Sequence, residues 1–198
     1  MKNYFRIPLP AGFALVTLLV LGVASLIGGK IPVQEAQAAN DAYTLVGKPL
    51  PDIELRDRDG NVYPMGRLRG KAVVLFFSEG LMCYPACWNQ IAAFATDPRF
   101  GGSRIVALSV VVDPPRVWQK ALARMPELAN ATVLFDAGAS VSRRLGFLSL
   151  ESSMHPGQLP GHTYVLVDGQ GVVREVIDDA NMAVNNDLLI KLIAKLRR

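Results

Sequence analysis

Two apolar runs limit what this chain can fold into: Ala72-Val73-Val74-Leu75-Phe76-Phe77 and the segment from Ile105 to Val112. Both are dominated by β-branched, aromatic and aliphatic side chains with almost no polar alternation, the pattern of strands covered on both faces. Between them Trp88, Ile91, Ala92 and Ala95 recur at helical spacing behind Pro85, which fits a first helical position. Asp113-Pro114-Pro115 stops the second strand. Val117, Ala121, Leu122 and Met125 then make a helix face, Thr132 to Phe135 a short strand, and Ala139 to Leu145 a short helix stopped by Gly146. Strands alternating with helices require parallel central strands sandwiched by those helices.

The flanks read differently. Leu50 to Leu55 and Val62-Tyr63 form strand candidates around the turn Asp57-Arg58-Asp59-Gly60-Asn61. Thr163 to Val167 and Val172 to Ile177 form a second hairpin around Asp168-Gly169-Gln170-Gly171. Asn186 reads as the cap of a last helix carrying Leu189, Leu192, Ile193 and Leu196 on one face. The expected fold class is α/β: a central mixed β-sheet flanked by helices, with an N-terminal β-hairpin. Gly146 to Gly161 remains as a long irregular loop, and such loops are more often functional than filler.

The first 39 residues read as an address. Lys2 and Arg6 precede an apolar run from Ala11 to Gly29 whose polar members are Thr17 and Ser25. At about 1.5 Å per residue that run just spans a thin hydrocarbon core, with its basic flank held in the cytoplasm. Ala36-Gln37-Ala38 offers a cleavage site for a secretory signal. The polar gap from Lys30 to Gln37 favours an uncleaved signal-anchor instead. The expected domains are therefore residues 1–39, a transmembrane segment and tether, and residues 40–198, the α/β domain. That domain lies outside the cytoplasm, periplasmic or at the cell surface, where a cysteine pair persists as a disulfide.

Charge removes one class of partner. The whole chain carries a net charge of +4, half of it on the first 39 residues, and what is left is too little for a nucleic-acid footprint. Two cysteines and two histidines exclude a multi-bridge scaffold and a four-cysteine zinc site. No phosphate-cradling glycine loop is present, so no organic cofactor is implied.

What chemistry the chain carries centres on Cys83 and Cys87, in Gly80-Leu81-Met82-Cys83-Tyr84-Pro85-Ala86-Cys87-Trp88. They follow the first central strand and open the first helix, where α/β folds place their sites. Four residues apart on a helix, their Cα atoms are about 6 Å apart, within reach of a disulfide. Free amides and the helix dipole favour a thiolate at Cys87, and the thiolate is the nucleophilic and metal-binding form. Two buried apolar cysteines, or an inert disulfide, are the alternative.

Val46-Gly47-Lys48-Pro49-Leu50-Pro51-Asp52, Asp59-Gly60, Leu68-Arg69-Gly70-Lys71 and the strand Val73 to Phe77 resemble the opening of the AhpC/TSA (redoxin, peroxiredoxin-like) branch of the thioredoxin-like superfamily. Ser109 to Asp113 and Thr163 to Gly171 resemble its later landmarks in the same order, so the resemblance covers about residues 44–197. It implies a thioredoxin-like fold, a redox-active Cys83–Cys87 pair, and a peroxide or a protein disulfide or dithiol as substrate. Three relatives imply different uses. Peroxiredoxins carry Pro and Thr or Ser seven and three residues before the reactive cysteine. Those places are Gly80 and Tyr84 before Cys87, and Phe76 and Gly80 before Cys83. Tethered thiol–disulfide proteins use Trp-Cys-x-x-Cys, with Met82 here in place of the Trp. Sco-type copper-delivery proteins use Cys-x-x-x-Cys and a distant His, a place close to His162.

Resemblance also implies that the segment before the last hairpin faces the cysteine turn, with Pro160 as the cis proline of such folds. Under the copper alternative Cys83, Cys87 and His162 bind Cu(I), with Met154 or Met82 as further donors. Otherwise His162 serves as proton donor or acceptor beside a thiol. Asp113 closes a strand beside the expected site and either accepts a hydrogen bond there or is a turn residue before Pro114. Glu79 reads as an exposed loop acid, His155 equally as a solvated histidine or a site residue, and Arg143 and Arg144 as surface residues.

Overall fold

The computed structural model describes residues 42–196, and the expected anchor lies outside them. Among the described residues no helix is long and apolar enough to cross a membrane. The strands are β1 (Glu54–Asp57), β2 (Val62–Pro64), β3 (Ala72–Ser78), β4 (Ile105–Val111), β5 (Val133–Phe135), β6 (Thr163–Val167) and β7 (Val173–Asp178). The α-helices are α1 (Ala86–Thr96), α2 (Pro115–Arg124), α3 (Ser140–Leu145) and α4 (Asn186–Lys195). All seven described strands form one mixed sheet in the order β2-β1-β5-β4-β3-β6-β7. β3, β4 and β5 run parallel, joined by the helical crossovers α1 and α2. β6 returns antiparallel against β3, and β7 against β6.

The strand periodicity of two divides the core into two layers. Val74 and Phe76 of β3 and Tyr164 and Leu166 of β6 pack with Trp88, Ile91 and Phe94 of α1, Trp118 of α2, and Leu189 and Ile193 of α4. Val73, Leu75 and Phe77, with Val165 and Val167, face the other way onto Leu145 of α3, Phe147 and Leu150. Val74, Leu75, Phe76 and Phe77 are all fully buried, which is why the run shows no polar alternation.

Several boundaries differ from the sequence reading. β1 begins at Glu54, because Pro49 and Pro51 lack the amide a ladder needs. Pro85 precedes the first turn of α1 instead of occupying it, since the chain completes a 3-10 turn over Gly80–Cys83 first. Asn186 begins α4 instead of capping it. Its side-chain amide donates to the Ala93 carbonyl and its Oδ1 accepts from Gln90, so tertiary contacts claim the groups a cap would use. The loop after α3 contains a 3-10 turn, Phe147–Ser149, entered through Gly146 at φ +87°, a conformation that suits glycine.

Candidate active site

The sulfurs sit where β3 hands over to α1. Cys83 ends the 3-10 turn and Cys87 lies in the first turn of α1, with Cα atoms 5.4 Å apart and the sulfurs joined in a disulfide. One backbone conformation and two hydrogen bonds hold this turn. Gly80 adopts φ +66°, and a side chain there would run into the Asp113 carboxylate. Asp113, at the end of β4, accepts the Leu81 amide proton at 2.8 Å, and burial raises its carboxyl pKa above the ordinary value. The Trp88 indole donates to the Gly80 carbonyl at 3.0 Å.

Glu79 is a correction to the sequence reading: it is not an exposed loop acid but 1% exposed. Burial of a carboxylate is tolerable only with partners, and Glu79 has several across the chain. Its Oε1 accepts from the amides of Met154 and His155 at 2.6 and 3.2 Å, and its Oε2 lies 2.8 Å from His155 Nδ1. The long loop is thereby pinned to the cysteine turn. A second anchor is Ser152, whose hydroxyl accepts the His162 amide at 2.6 Å and donates to Asp178. Gly161 leaves no room for a Cβ against Ser152, so backbone meets backbone there.

These anchors deliver His162 to the sulfurs. Its Nδ1 lies 3.4 Å from Cys87 Sγ, and the ring stands edge-on to Phe76 with centroids 4.6 Å apart. Its Nε2 faces the Tyr164 hydroxyl at 2.7 Å and the Ala183 carbonyl at 3.1 Å. Burial drives the imidazole pKa down to about 4 against the opposing pull of Asp179, the Ala183 carbonyl and Asp178, so the ring is neutral at pH 7. Burial also raises the Tyr164 phenol, which stays protonated.

One ligand atom each from Cys83, Cys87 and His162 fall within 4.8 Å of one another, all three residues buried. Once reduced, two thiolates and an imidazole suit a soft monovalent ion such as Cu(I). Met82 and Met154 are both exposed residues. Pro160 is buried two residues before His162, but the cis X-Pro bond among the described residues is Tyr84–Pro85, not Leu159–Pro160. Arg144 reaches the Asp52 carbonyl at the surface. Sequence reading missed Tyr164 and Gln90, although both carried a signal. Tyr164 is two residues beyond His162 on an extended chain, and Gln90 is three beyond Cys87 on a helix, so each shares a face with its partner.

A model of the AhpC/TSA family matches residues 46–176. The chain belongs to the AhpC/TSA family. Among curated proteins this AhpC/TSA chain is similar to the chloroplastic peroxiredoxin Q of Triticum aestivum, 28% identical over 136 residues. That match covers 67% of this chain and 58% of the relative, so the chain spans less than two thirds of that protein's length. Among solved structures it resembles peroxidoxin BcpB from Mycobacterium tuberculosis, with TM-score 0.62 and 23% identity over 77% of this chain and 98% of the other. It also resembles AhpC of Enterococcus faecalis, with TM-score 0.64 and 16% identity over 77% and 92% of the two chains. A third is a candidate protein disulfide isomerase from Bacteroides thetaiotaomicron, with TM-score 0.56 and 18% identity over 77% and 87%. At these identities the solved structures share with the AhpC/TSA chain its thioredoxin-like fold.

Proposed function

We propose that this AhpC/TSA protein is a membrane-tethered, extracytoplasmic thiol–disulfide oxidoreductase working through Cys83 and Cys87. The observation that carries the reading is the closed disulfide with a neutral imidazole nitrogen 3.4 Å from Cys87 Sγ. Cys83 is the sulfur assigned to meet the partner: both cysteines are buried, but Cys83 lies between the exposed Met82 and Tyr84, whereas Cys87 faces inward against His162. A partner thiolate attacks Cys83 Sγ, a mixed disulfide forms, and Cys87 leaves with the bonding electrons at the start of α1. A second partner thiolate then attacks its own mixed-disulfide sulfur. Cys83 is released, and the partner is oxidised by two electrons as the pair is reduced. In the opposite direction Cys87 gives its proton to His162 Nδ1 and attacks the mixed disulfide on Cys83, expelling the partner thiolate.

Hydrogen peroxide is the competing substrate within the same chemistry. A thiolate attacks one peroxide oxygen, the O–O bond breaks and hydroxide departs, taking a proton from solvent as water; the sulfenic acid then condenses with the second thiol to close the disulfide with loss of another water. Gly80 and Tyr84 at the places of the usual peroxide-polarising residues favour a protein dithiol or disulfide. The apolar run Ala11 to Gly29 behind Lys2 and Arg6 supports the tether and the compartment.

The test uses the full chain in detergent, with hydrogen peroxide and a protein disulfide offered separately and dithiothreitol as reductant. Disulfide turnover lost in both Cys83→Ser and Cys87→Ser is the expected result. A chain whose folded cysteines neither reduce nor reoxidise would overturn the reading. A second reading is favoured by the clustering of three soft ligand atoms within 4.8 Å: the reduced protein carries Cu(I) as cargo. Tight one-to-one Cu(I) binding under anaerobic titration, lost in His162→Ala, would establish it.

A further inference from the structure

Behind Cys87 runs a chain of buried polar groups whose shortest hydrogen bonds together favour one arrangement. The Asn185 amide, which can only donate, points at one side-chain atom of Gln90 from 2.7 Å, so that atom is the carbonyl Oε1. The other end of Gln90 then donates to Asn186 Oδ1 at 2.9 Å. Oε1 also lies 2.9 Å from the Tyr164 hydroxyl and takes its single proton in preference to the Ala183 carbonyl, which is farther off at 3.3 Å. The Tyr164 oxygen is left as an acceptor toward His162 Nε2 at 2.7 Å. Independently, the Ala183 carbonyl can only accept, and it lies 3.1 Å from the same Nε2. Both constraints favour a proton on Nε2; the disulfide-bonded Cys87 Sγ can only accept, but sulfur is a weak acceptor, so the two oxygen contacts prevail and the neutral ring presents its lone pair at Nδ1, the atom facing Cys87.

We infer that Gln90 is a positioning residue that, through the Tyr164 hydroxyl, locks His162 in the tautomer that can accept a proton from, or bond to, Cys87. Gln90 is fully buried three residues beyond Cys87 on α1, and its hydrogen bonds run to Tyr164, Asn185 and Asn186. It ties the site to Asn185 and Asn186 at the start of α4, elements almost a hundred residues away in sequence. Without Oε1 the Tyr164 hydroxyl keeps only the Ala183 carbonyl at 3.3 Å as a carbonyl acceptor, and the nearer His162 Nε2 at 2.7 Å competes for its proton. The imidazole proton would then shift to Nδ1, where it blocks the approach from Cys87. The role of this tautomer in turnover rests on the redox reading above; the tautomer itself does not.

The experiment is long-range 1H–15N NMR of the imidazole nitrogens in the oxidised full chain at neutral pH, assigned with His162→Gln. The expected result is a single Nε2-protonated form, with Nδ1 unprotonated. In Gln90→Leu the Nδ1-protonated form should appear, and the rate at which Cys87 attacks a mixed disulfide preformed on Cys83 should fall by about tenfold or more. In Gln90→Leu combined with Tyr164→Phe, no hydroxyl proton competes. The original tautomer should return, held by Ala183, and with it most of the rate. A merely structural Gln90 would not be rescued by removing a second buried group. Nδ1 protonation in the unmodified protein overturns the inference even if no variant folds. An unchanged tautomer in folded Gln90→Leu overturns the role of Gln90. If the tautomer moves as expected while the unmodified protein shows no disulfide turnover, the redox reading fails and this one stands.

Discussion

Glu79 and His155 meet at 2.8 Å across 76 residues of sequence, and the carboxylate, not the imidazole, is the buried partner. Glu79 sits between β3 and the cysteine turn, so this pair fastens the loop carrying His162 to the strand end that carries the sulfurs. Glu79→Ala leaves the amides of Met154 and His155 without their acceptor. The loss should cost about 2–3 kcal/mol, since bonds to a charged acceptor are the stronger kind. Urea unfolding should record that cost. Hydrogen exchange should speed up at residues 153–162 first, and equal acceleration throughout β3 and β4 would show that the loop is not the element being held.

The disulfide closes a very short loop, Cys83 to Cys87. Loop-closure entropy for so few residues gives about 2 kcal/mol at most. The sulfurs belong to one of the two core layers, but most of its members come from other parts of β3, β6, α1, α2 and α4, so reduction should lower the urea midpoint modestly and leave the fold intact. Collapse of near-ultraviolet circular dichroism on adding dithiothreitol would contradict this.

Stability should fall with acid through one identifiable window. His162 has a folded-state pKa near 4, against about 6.5 for an unfolded chain. Between those values the unfolded state binds the extra proton, so folding is progressively disfavoured as pH drops from about 6.5 to 4, by about 3 kcal/mol in total. Asp178 and Asp179 face the ring and oppose the shift without reversing it. The check is the pH dependence of the unfolding free energy, in which His162→Gln should flatten that segment. An unchanged slope would place the titration elsewhere.

Gly80 should tolerate no side chain. Gly80→Ala meets both a positive φ and the Asp113 carboxylate. It should cost more than about 1 kcal/mol from backbone conformation alone. Asp113→Ala in the same background should recover part of the loss by opening space. Thermal unfolding of the single and double variants measures the coupling, and strictly additive effects would mean the clash is relieved elsewhere.

Local pattern fixed much of this protein before any contact was known. The unbroken apolar run of β3, the helical spacing behind Pro85 and the Gly-rich turn between β6 and β7 each depend on neighbours within a few residues, so they are readable from the chain. The placement of two cysteines at a strand-to-helix junction is readable for the same reason. Tertiary structure alone decided which polar groups surround them. Glu79 looks like a surface acid until the amides of residues 154 and 155 close over it, and Gln90 looks like one helix residue among others until the Asn185 amide orients it. Burial and hydrogen-bond satisfaction are properties of residues brought together from 75 or more positions apart, and no local periodicity records them.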